Sequence, residues 1–394
     1  MSIISDIHSI NIVYVGFNDM GIHNLLWGIL ELGLNCRVYD IEHCTSDSPE
    51  DYEKLITFVK ESPTDLLISQ NYSPTVSNVC DKLSIPYAAW TYDMPLTSLH
   101  HASIFNNCNF IFSFDKFQTD FLIRKGMANV YHLPLAANLT RSSLITISSE
   151  DEERFGSDLS FIGNIQHKGW DDKFNDYMKV LPENDRQHLS QIKKDTFGIW
   201  DGRNRIHESF TDTLLSDFRS HTINKPEIDE QLYYETVISY HISFLERVQM
   251  LKSLIPYNIR HYTQTAYSDL EGLNSYPSLD YESELPKAYF LTKINMSSTL
   301  RSIPSGVPLR VFDILSMCSF CLTNYQPEID DLFEAGKDLI VYKSLDEIPS
   351  LVDYYLRHDD ERLKIAANGY KKVSSCYTWA IGVEKILRTV FRLS

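Results

Sequence analysis

Six short apolar runs punctuate the first 140 residues, and a helix-length segment separates most of them from the next. INIVYVGF (10–17), CRVYDI (36–41), TDLLISQ (64–70), PYAAWTYD (86–93), CNFIFSFD (108–115) and ANVYHLPL (128–135) have strand length and carry many β-branched and aromatic residues. The intervening IHNLLWGILELG and KFQTDFLIRKG each end on a glycine at the position that closes a helix. Strands that alternate with helices pair in parallel, and a parallel sheet buries both faces under helices. The fold class this predicts is α/β, doubly wound, with ligands at the carboxyl ends of the strands. Three stretches occupy those ends: NDMGIH (18–23), Asp93 in WTYDMP and Asp115 in FSFDK. Only Gly16 and Gly21 follow the first strand, so the G-x-G-x-x-G fingerprint of a dinucleotide oxidoreductase is missing.

The same rhythm returns later, as a chain of 394 residues requires if it is to fill two ordinary domains. Residues 1–140 read as the first domain, and 134–157 as a polar linker without periodicity. Residues 141–375 read as the second domain, opening with the strand DLSFIGN (158–164), where Gly163 and Asn164 form the first strand-to-loop junction. A polar, helical, glycine-poor insertion spans about 166–255. YNIRHYTQ (257–264), INMSS (294–298), FCLT (320–323) and DLIVY (338–342) read as further strands, with ELPKAYFLTK as a helix. Ser344 with Glu347 reads as a capping box. Residues 376–394 form a last amphipathic helix, expected to pack back on the first domain.

Charge and cysteine content exclude several classes. The 36 basic and 53 acidic residues leave a net charge of −17, which repels a nucleic-acid backbone. No apolar run is long enough to span a membrane, and the N-terminus lacks the basic start of an export signal. Seven scattered cysteines read as reduced thiols of a cytoplasmic protein. Cys318 and Cys321 sit in apolar MCSFCLT without a second pair, so they read as buried core rather than as a zinc or redox pair. His100 and His101 lack a third ligand at metal-site spacing.

The densest chemistry lies in STLRSIPSGVPLRVFDILSMCSFCLTNYQPEIDDLF (298–333). Gly306, Val307 and Pro308 end a loop, and Pro308 suits the start of a helix. Val311, Ile314, Leu315 and Cys318 would share its core face, with Arg310, Asp313 and Met317 on another stripe. A cation at a helix start opposes the dipole unless an anion sits there too. Arg310, with Arg301 upstream and the free N–H groups, therefore suits a phosphate or pyrophosphate. Asp313, one turn deeper, is placed for a ribose diol, and Glu328 for the same cleft. Spacing alone also fits an i, i+3 surface ion pair between Arg310 and Asp313, a helix N-cap at Asp93, and, more often than a base, an ordinary surface or packing histidine at His23.

Residues 294–373, with SIPYAAWTYDMPLTSLH, FIFSFDK, VYHLPLAAN and DLSFIGN, resemble the CgeB-like (spore-maturation-protein-like) bacterial glycosyltransferases, through G-x-P-x-R-x-F-D and L-T-N-Y-Q-x-E above all. The resemblance implies a GT-B fold, two Rossmann-like domains facing a cleft, with a UDP-, GDP- or dTDP-linked sugar as substrate and no metal or other cofactor at the diphosphate. It implies Asp313 as the ribose ligand and Glu328 as the second acidic position. Position 305, a glutamate in more distant retaining enzymes, is Ser305, and position 318, commonly glycine in the family, is Cys318. The expected donor site comprises Gly163, Asn164, Arg301, Gly306, Arg310, Asp313, Tyr325 and Glu328, with Arg301 and Arg310 on the leaving diphosphate. The expected acceptor site, for a protein, glycan or lipid-linked hydroxyl, comprises Asn18, Asp19, Trp90 and Tyr92, with Asp93 or His23 as base. A sugar-nucleotide epimerase or a non-catalytic surface-assembly protein are the alternatives.

Overall fold

The alternating runs form two all-parallel sheets in a computed structural model that describes residues 6–18, 23–43, 48–165, 169–221, 229–265, 267 and 269–393. The chain divides into two units, one built from Met1–Ser143, Gly306–Phe312 and Val373–Ser394, the other from Leu144–Ser305 and Asp313–Lys372.

In the first unit, β1 (Asn11–Phe17), β2 (Asn35–Ile41), β3 (Leu66–Gln70), β4 (Tyr87–Thr91), β5 (Asn109–Ser113) and β6 (Val130–His132) pair in the order β2-β1-β3-β4-β5-β6. Tyr14 of β1 lies between Val38 of β2 and Ile68 of β3. β3 and β4 are buried along their whole length, as a parallel sheet covered on both faces demands. Gly33 and Gly126 follow the helices Asn24–Glu31 and Lys116–Arg124 with φ of +65° and +92°, a region glycine enters without strain. The final helix, Trp379–Phe391, packs on Asn24–Glu31. Two glycines make that approach possible: a Cβ on Gly28 would lie 2.6 Å from the Trp379 backbone, and one on Gly382 2.2 Å from the Trp90 ring.

In the second unit, β7 (Ser157–Ile162), β8 (Ile259–Thr263), β9 (Ser275–Pro277), β10 (Thr292–Ser297), β11 (Cys321–Asn324) and β12 (Ile340–Tyr342) pair in the order β12-β11-β10-β7-β8-β9. The insertion between β7 and β8 folds as helices Trp170–Val180, Glu183–Thr196, Arg205–Glu208, Asp212–His221 and Glu230–Leu254. These share a core of their own around Phe174, Leu189, Phe218, Tyr234 and Val237.

The structure corrects several local readings. The stretch 134–157 is no plain linker: it carries helices Leu139–Leu144 and Ser149–Phe155, the second opened by a Ser148–Asp151 capping box. Strand β9 escapes the sequence because it is a three-residue edge strand that includes a proline, which an edge tolerates. Ser344 makes no capping bond to the backbone; its hydroxyl donates to Glu347 Oε1 at 3.4 Å, and Glu347 Oε2 accepts from the Lys343 N–H at 3.0 Å. Cys318 is not core. It follows the helix Leu309–Ser316, exposed, with φ +53°, whereas Cys321 is fully buried in β11. Among the described residues no helix is long and apolar enough to cross a membrane.

Candidate functional site

In the second unit the strand order reverses between β7 and β10, and loops from both strand ends meet one buried arginine. Arg247, 4% exposed, donates through Nη1 to the Asn164 carbonyl at 2.6 Å and through Nη2 to the Ser298 carbonyl at 3.0 Å. The Asn164 side chain is fixed as well, its Oδ1 accepting from the Thr263 hydroxyl at 3.0 Å and the Gln264 N–H at 3.1 Å. Gly163, at φ +152°, passes its carbonyl to His261 Nε2 at 2.9 Å, and His261 Nδ1 meets Ser275 Oγ at 3.0 Å. A carbonyl can only accept, so Nε2 carries a proton; burial holds the ring's pKa below the ordinary value.

Arg301 follows β10 and is half-buried. Its Nε donates to both Glu246 oxygens at 3.1 Å, and Nη2 to Glu246 Oε1 at 2.6 Å and to the Thr196 carbonyl at 2.9 Å. The guanidinium lies 4.3 Å from the Trp200 ring centroid. With side-chain exposures of 10% and 1%, Arg301 and Glu246 form a closed ion pair, so the arginine's charge is already matched.

Asp313, on the helix Leu309–Ser316, is 3% exposed and accepts from the Tyr281 hydroxyl at 3.1 and 3.2 Å. Glu328, after β11, is 1% exposed and accepts from the Ser305 hydroxyl at 2.8 Å, while its own N–H reaches the Ser305 carbonyl at 3.1 Å. The serine at position 305 therefore acts as the partner of Glu328. Tyr325 donates to Asp330 at 2.6 Å, which with burial pushes its pKa up to about 12. Gly306 and Arg310 group with the first unit, where the Gly306 N–H donates to Asp115 Oδ2 at 2.7 Å. A Cβ at Gly306 would approach the Phe114 ring to 2.9 Å, so only glycine fits. Arg310 is half-buried on the first turn of its helix.

The strand ends of the first unit are tied by an uncharged residue. Asn71, fully buried at φ +68°, accepts the Tyr92 N–H on Oδ1 at 2.9 Å and donates from Nδ2 to Asp93 Oδ2 at 2.7 Å. Asp93 is exposed and does not cap a helix; the next helical turn, Thr97–His100, has Leu96 in the capping position. His23 precedes the helix Asn24–Glu31 without a side-chain cap, its Nδ1 3.5 Å from the Tyr14 hydroxyl. Asn18 is exposed and donates to Glu42 at 3.2 Å, and Asp19 lies outside the described residues. Trp90 requires a correction. It is 1% exposed, its ring centroid 4.5 Å from that of Trp379 and its Nε1 bonded to the Leu133 carbonyl at 3.1 Å, so it supports the sheet and offers no face to a sugar.

Residues that sequence reading passed over do much of this positioning: Glu246, Arg247, His261, Tyr281 and Asn71. Their partners lie far along the chain, and no local pattern announces them. Among the described residues no three His, Cys, Asp or Glu side chains converge in a way that would hold a metal ion.

The profile of the glycosyl transferase-like family matches residues 244–388, which include β8 to β12, Asp313 and Glu328. No curated protein matches the sequence. Among solved structures, a glycosyltransferase from Rickettsia africae superposes with a TM-score of 0.57 at 8% identity, covering 98% of this chain and 99% of its own. Anabaena HepE, solved with UDP and glucose, gives 0.55 at 9% identity, covering 98% and 100%. Sucrose-phosphate synthase from Thermosynechococcus elongatus gives 0.50 at 10% identity, again covering 98% and 100%. The fold is the α/β fold of the GT-B glycosyltransferases, with two parallel sheets.

Proposed function

We propose that the protein is a glycosyltransferase that moves a hexosyl or related unit from a nucleotide sugar to a hydroxyl of a protein, glycan or lipid-linked acceptor in the cytoplasm. The observation that carries this reading is the pair of buried carboxylates, Asp313 and Glu328, on the elements that follow β10 and β11, inside the region that matches the family profile. A buried carboxylate with acceptor capacity beside strand ends suits a ribose diol. In this reading the second unit holds the donor, with Gly163, Asn164, Tyr325 and Glu328 around it and Asp313 on the ribose. Arg310 and the first turn of its helix take the diphosphate together with Gly306. Arg301 joins them at reduced strength, since Glu246 matches its charge.

The first unit binds the acceptor through Asn18, Asp19 and Tyr92, and Asp93 serves as base, with His23 as the substitute candidate. Asp93 supports the role because it is exposed and oriented by Asn71. Stabilising the leaving diphosphate with fixed donors supplies the larger part of the rate, each charged donor being worth roughly 10²- to 10³-fold. The bond from the anomeric carbon to the phosphate oxygen breaks, the acceptor oxygen bonds to that carbon, and its proton passes to the base.

The deciding experiment is a thermal-shift screen against UDP-, GDP-, dTDP- and CMP-sugars, beginning with UDP-glucose because HepE was solved with UDP and glucose. A melting-temperature rise with at least one of them is the expected result, and no response to any overturns the reading. The diphosphate site is proposed to work without metal, so turnover is expected to persist in EDTA. Loss of turnover that Mn²⁺ or Mg²⁺ restores removes that part.

A further inference from the structure

The insertion does more than decorate the second unit. Its segment 198–204 is stitched to the chain that leaves β12: the Trp200 N–H donates to the Lys343 carbonyl at 2.7 Å, the Leu345 N–H to the Gly198 carbonyl at 3.1 Å, and Ile199 pairs with Ser344. The Gly198 N–H is held in turn by Glu246 at 2.8 Å. Between this segment and the loops after β10 and β11 lies a shallow recess, about 430 Å³ of empty space once the open solvent at its mouth is counted. Trp200, Arg203, Arg205, Arg301, Tyr325 and Gln326 line it. Its walls are fixed before any ligand arrives, which lowers the ordering cost of binding.

Charge decides what such a recess can hold. Three arginines would ordinarily indicate an anion, but each already has its own carboxylate. Arg301 is paired with Glu246 at 2.6 Å, Arg203 with Glu208 at 2.6 Å, and Arg205 with Asp201 through two bonds of 2.6 and 2.5 Å. The Arg205 bonds hold the Asp201 carboxyl down at about 2, so that pair stays ionised. Little unmatched charge is left to attract a phosphate or carboxylate. What remains is a mixture of donors and acceptors, with the half-buried Tyr325 ring at the side. Gln326 donates to the Ile303 carbonyl at 3.2 Å, which leaves its amide oxygen as an acceptor. Gly202, at φ +86°, takes a backbone conformation that favours glycine, and a Cβ there would stand a tight 3.3 Å from Tyr325 Cε1. Matched donors and acceptors beside an aromatic ring suit a neutral polyhydroxyl ring.

We propose that this recess is a binding site for an uncharged sugar ring and that the insertion supplies its selectivity. The inference takes its biological sense from the glycosyl-transfer reading, and the ring has two possible sources, the donor's sugar or an acceptor glycan. The test is saturation-transfer NMR and calorimetry on the full chain with the methyl glycosides of glucose, galactose and mannose, and the methyl glycosides of glucuronate and galacturonate as charged controls. At least one neutral glycoside is expected to bind and the uronates to bind more weakly. In an Arg203→Ala/Gln326→Ala variant of unchanged melting temperature, the affinity should fall at least tenfold.

A second arm compares UDP with UDP-glucose. If glucose adds affinity that the double variant loses, the ring arrives with the donor. If a glycoside still binds in the presence of saturating UDP-glucose, it belongs to an acceptor. Uronates binding more tightly than neutral glycosides overturns the proposal, as does the absence of any neutral-sugar contribution in either arm. Failure of every nucleoside diphosphate to bind, with glycosides still bound, would refute the donor reading and leave the recess standing.

Discussion

In the first sheet the strand order reverses between β1 and β3, and in the second between β10 and β7, so each of the two six-stranded parallel sheets has a crevice, in different surroundings. The loops of the first are tied by an amide, Asn71, which leaves Asp93 exposed. Those of the second are tied by buried charge: Arg247 between Asn164 and Ser298, and Glu246 on Arg301. An amide tether orients a carboxylate at little desolvation cost. A buried ion pair fixes a loop firmly but punishes any change to one partner. The difference is a division between a lightly tethered, exposed carboxylate in the first unit and buried, charge-tied loops in the second.

The largest expected effect tests the chemical half of that division. Asp93→Asn keeps an oxygen for the Asn71 amide, so melting temperature and donor affinity should hold while transfer falls by roughly two to four orders of magnitude. A stable variant with near-normal transfer removes Asp93 and turns attention to His23. Next comes the scaffolding. Glu246→Ala strands a buried guanidinium and the Gly198 N–H, and urea unfolding should show a loss of about 3–5 kcal/mol. A loss below about 1 kcal/mol would mean that the ion pair holds nothing in place.

Arg310→Ala comes third and bears on which arginine takes the diphosphate. Calorimetry should show nucleoside diphosphate binding weakened roughly ten- to hundredfold, the range for a lost charged hydrogen bond, with nucleoside binding nearly unchanged. Equal losses for both ligands would count against the phosphate role. Smallest is Cys318→Gly. Relief of the left-handed backbone at φ +53°, set against glycine's greater freedom when unfolded, should raise stability by about 0.5–1 kcal/mol. A lower melting temperature would show that the thiol makes a compensating contact.

Where local sequence carries the cause, the sequence was legible. β3 and β4 lie within their apolar runs because burial on both faces writes itself as continuous hydrophobicity, and Gly33 and Gly126 end helices where a left-handed residue is needed. Asp313 and Glu328 were legible as acidic positions on their elements, although Tyr281 and Ser305 were not legible as their partners. What failed depends on distant packing. Trp90 looks like a sugar platform in WTYD, yet Trp379 and Gly382, almost 300 positions later, cover it. Arg301 looks like a free phosphate ligand, yet a glutamate inside the polar insertion claims it. The apolar setting of MCSFCLT hides the end of a helix, beyond which Cys318 turns outward at φ +53°.

Glu246 and Arg247 lie in the last third of the 25-residue helix Glu230–Leu254, and this sets how far the gene can be cut back. The insertion cannot be exchanged for a plain linker between β7 and β8, because that helix supplies the cation that holds Asn164 and Ser298 and the anion that holds Arg301. It can be shortened only from its N-terminal side. Any such truncation also strips the cover from Tyr234, Val237 and Ile238, which would need polar replacements to keep the shortened protein soluble.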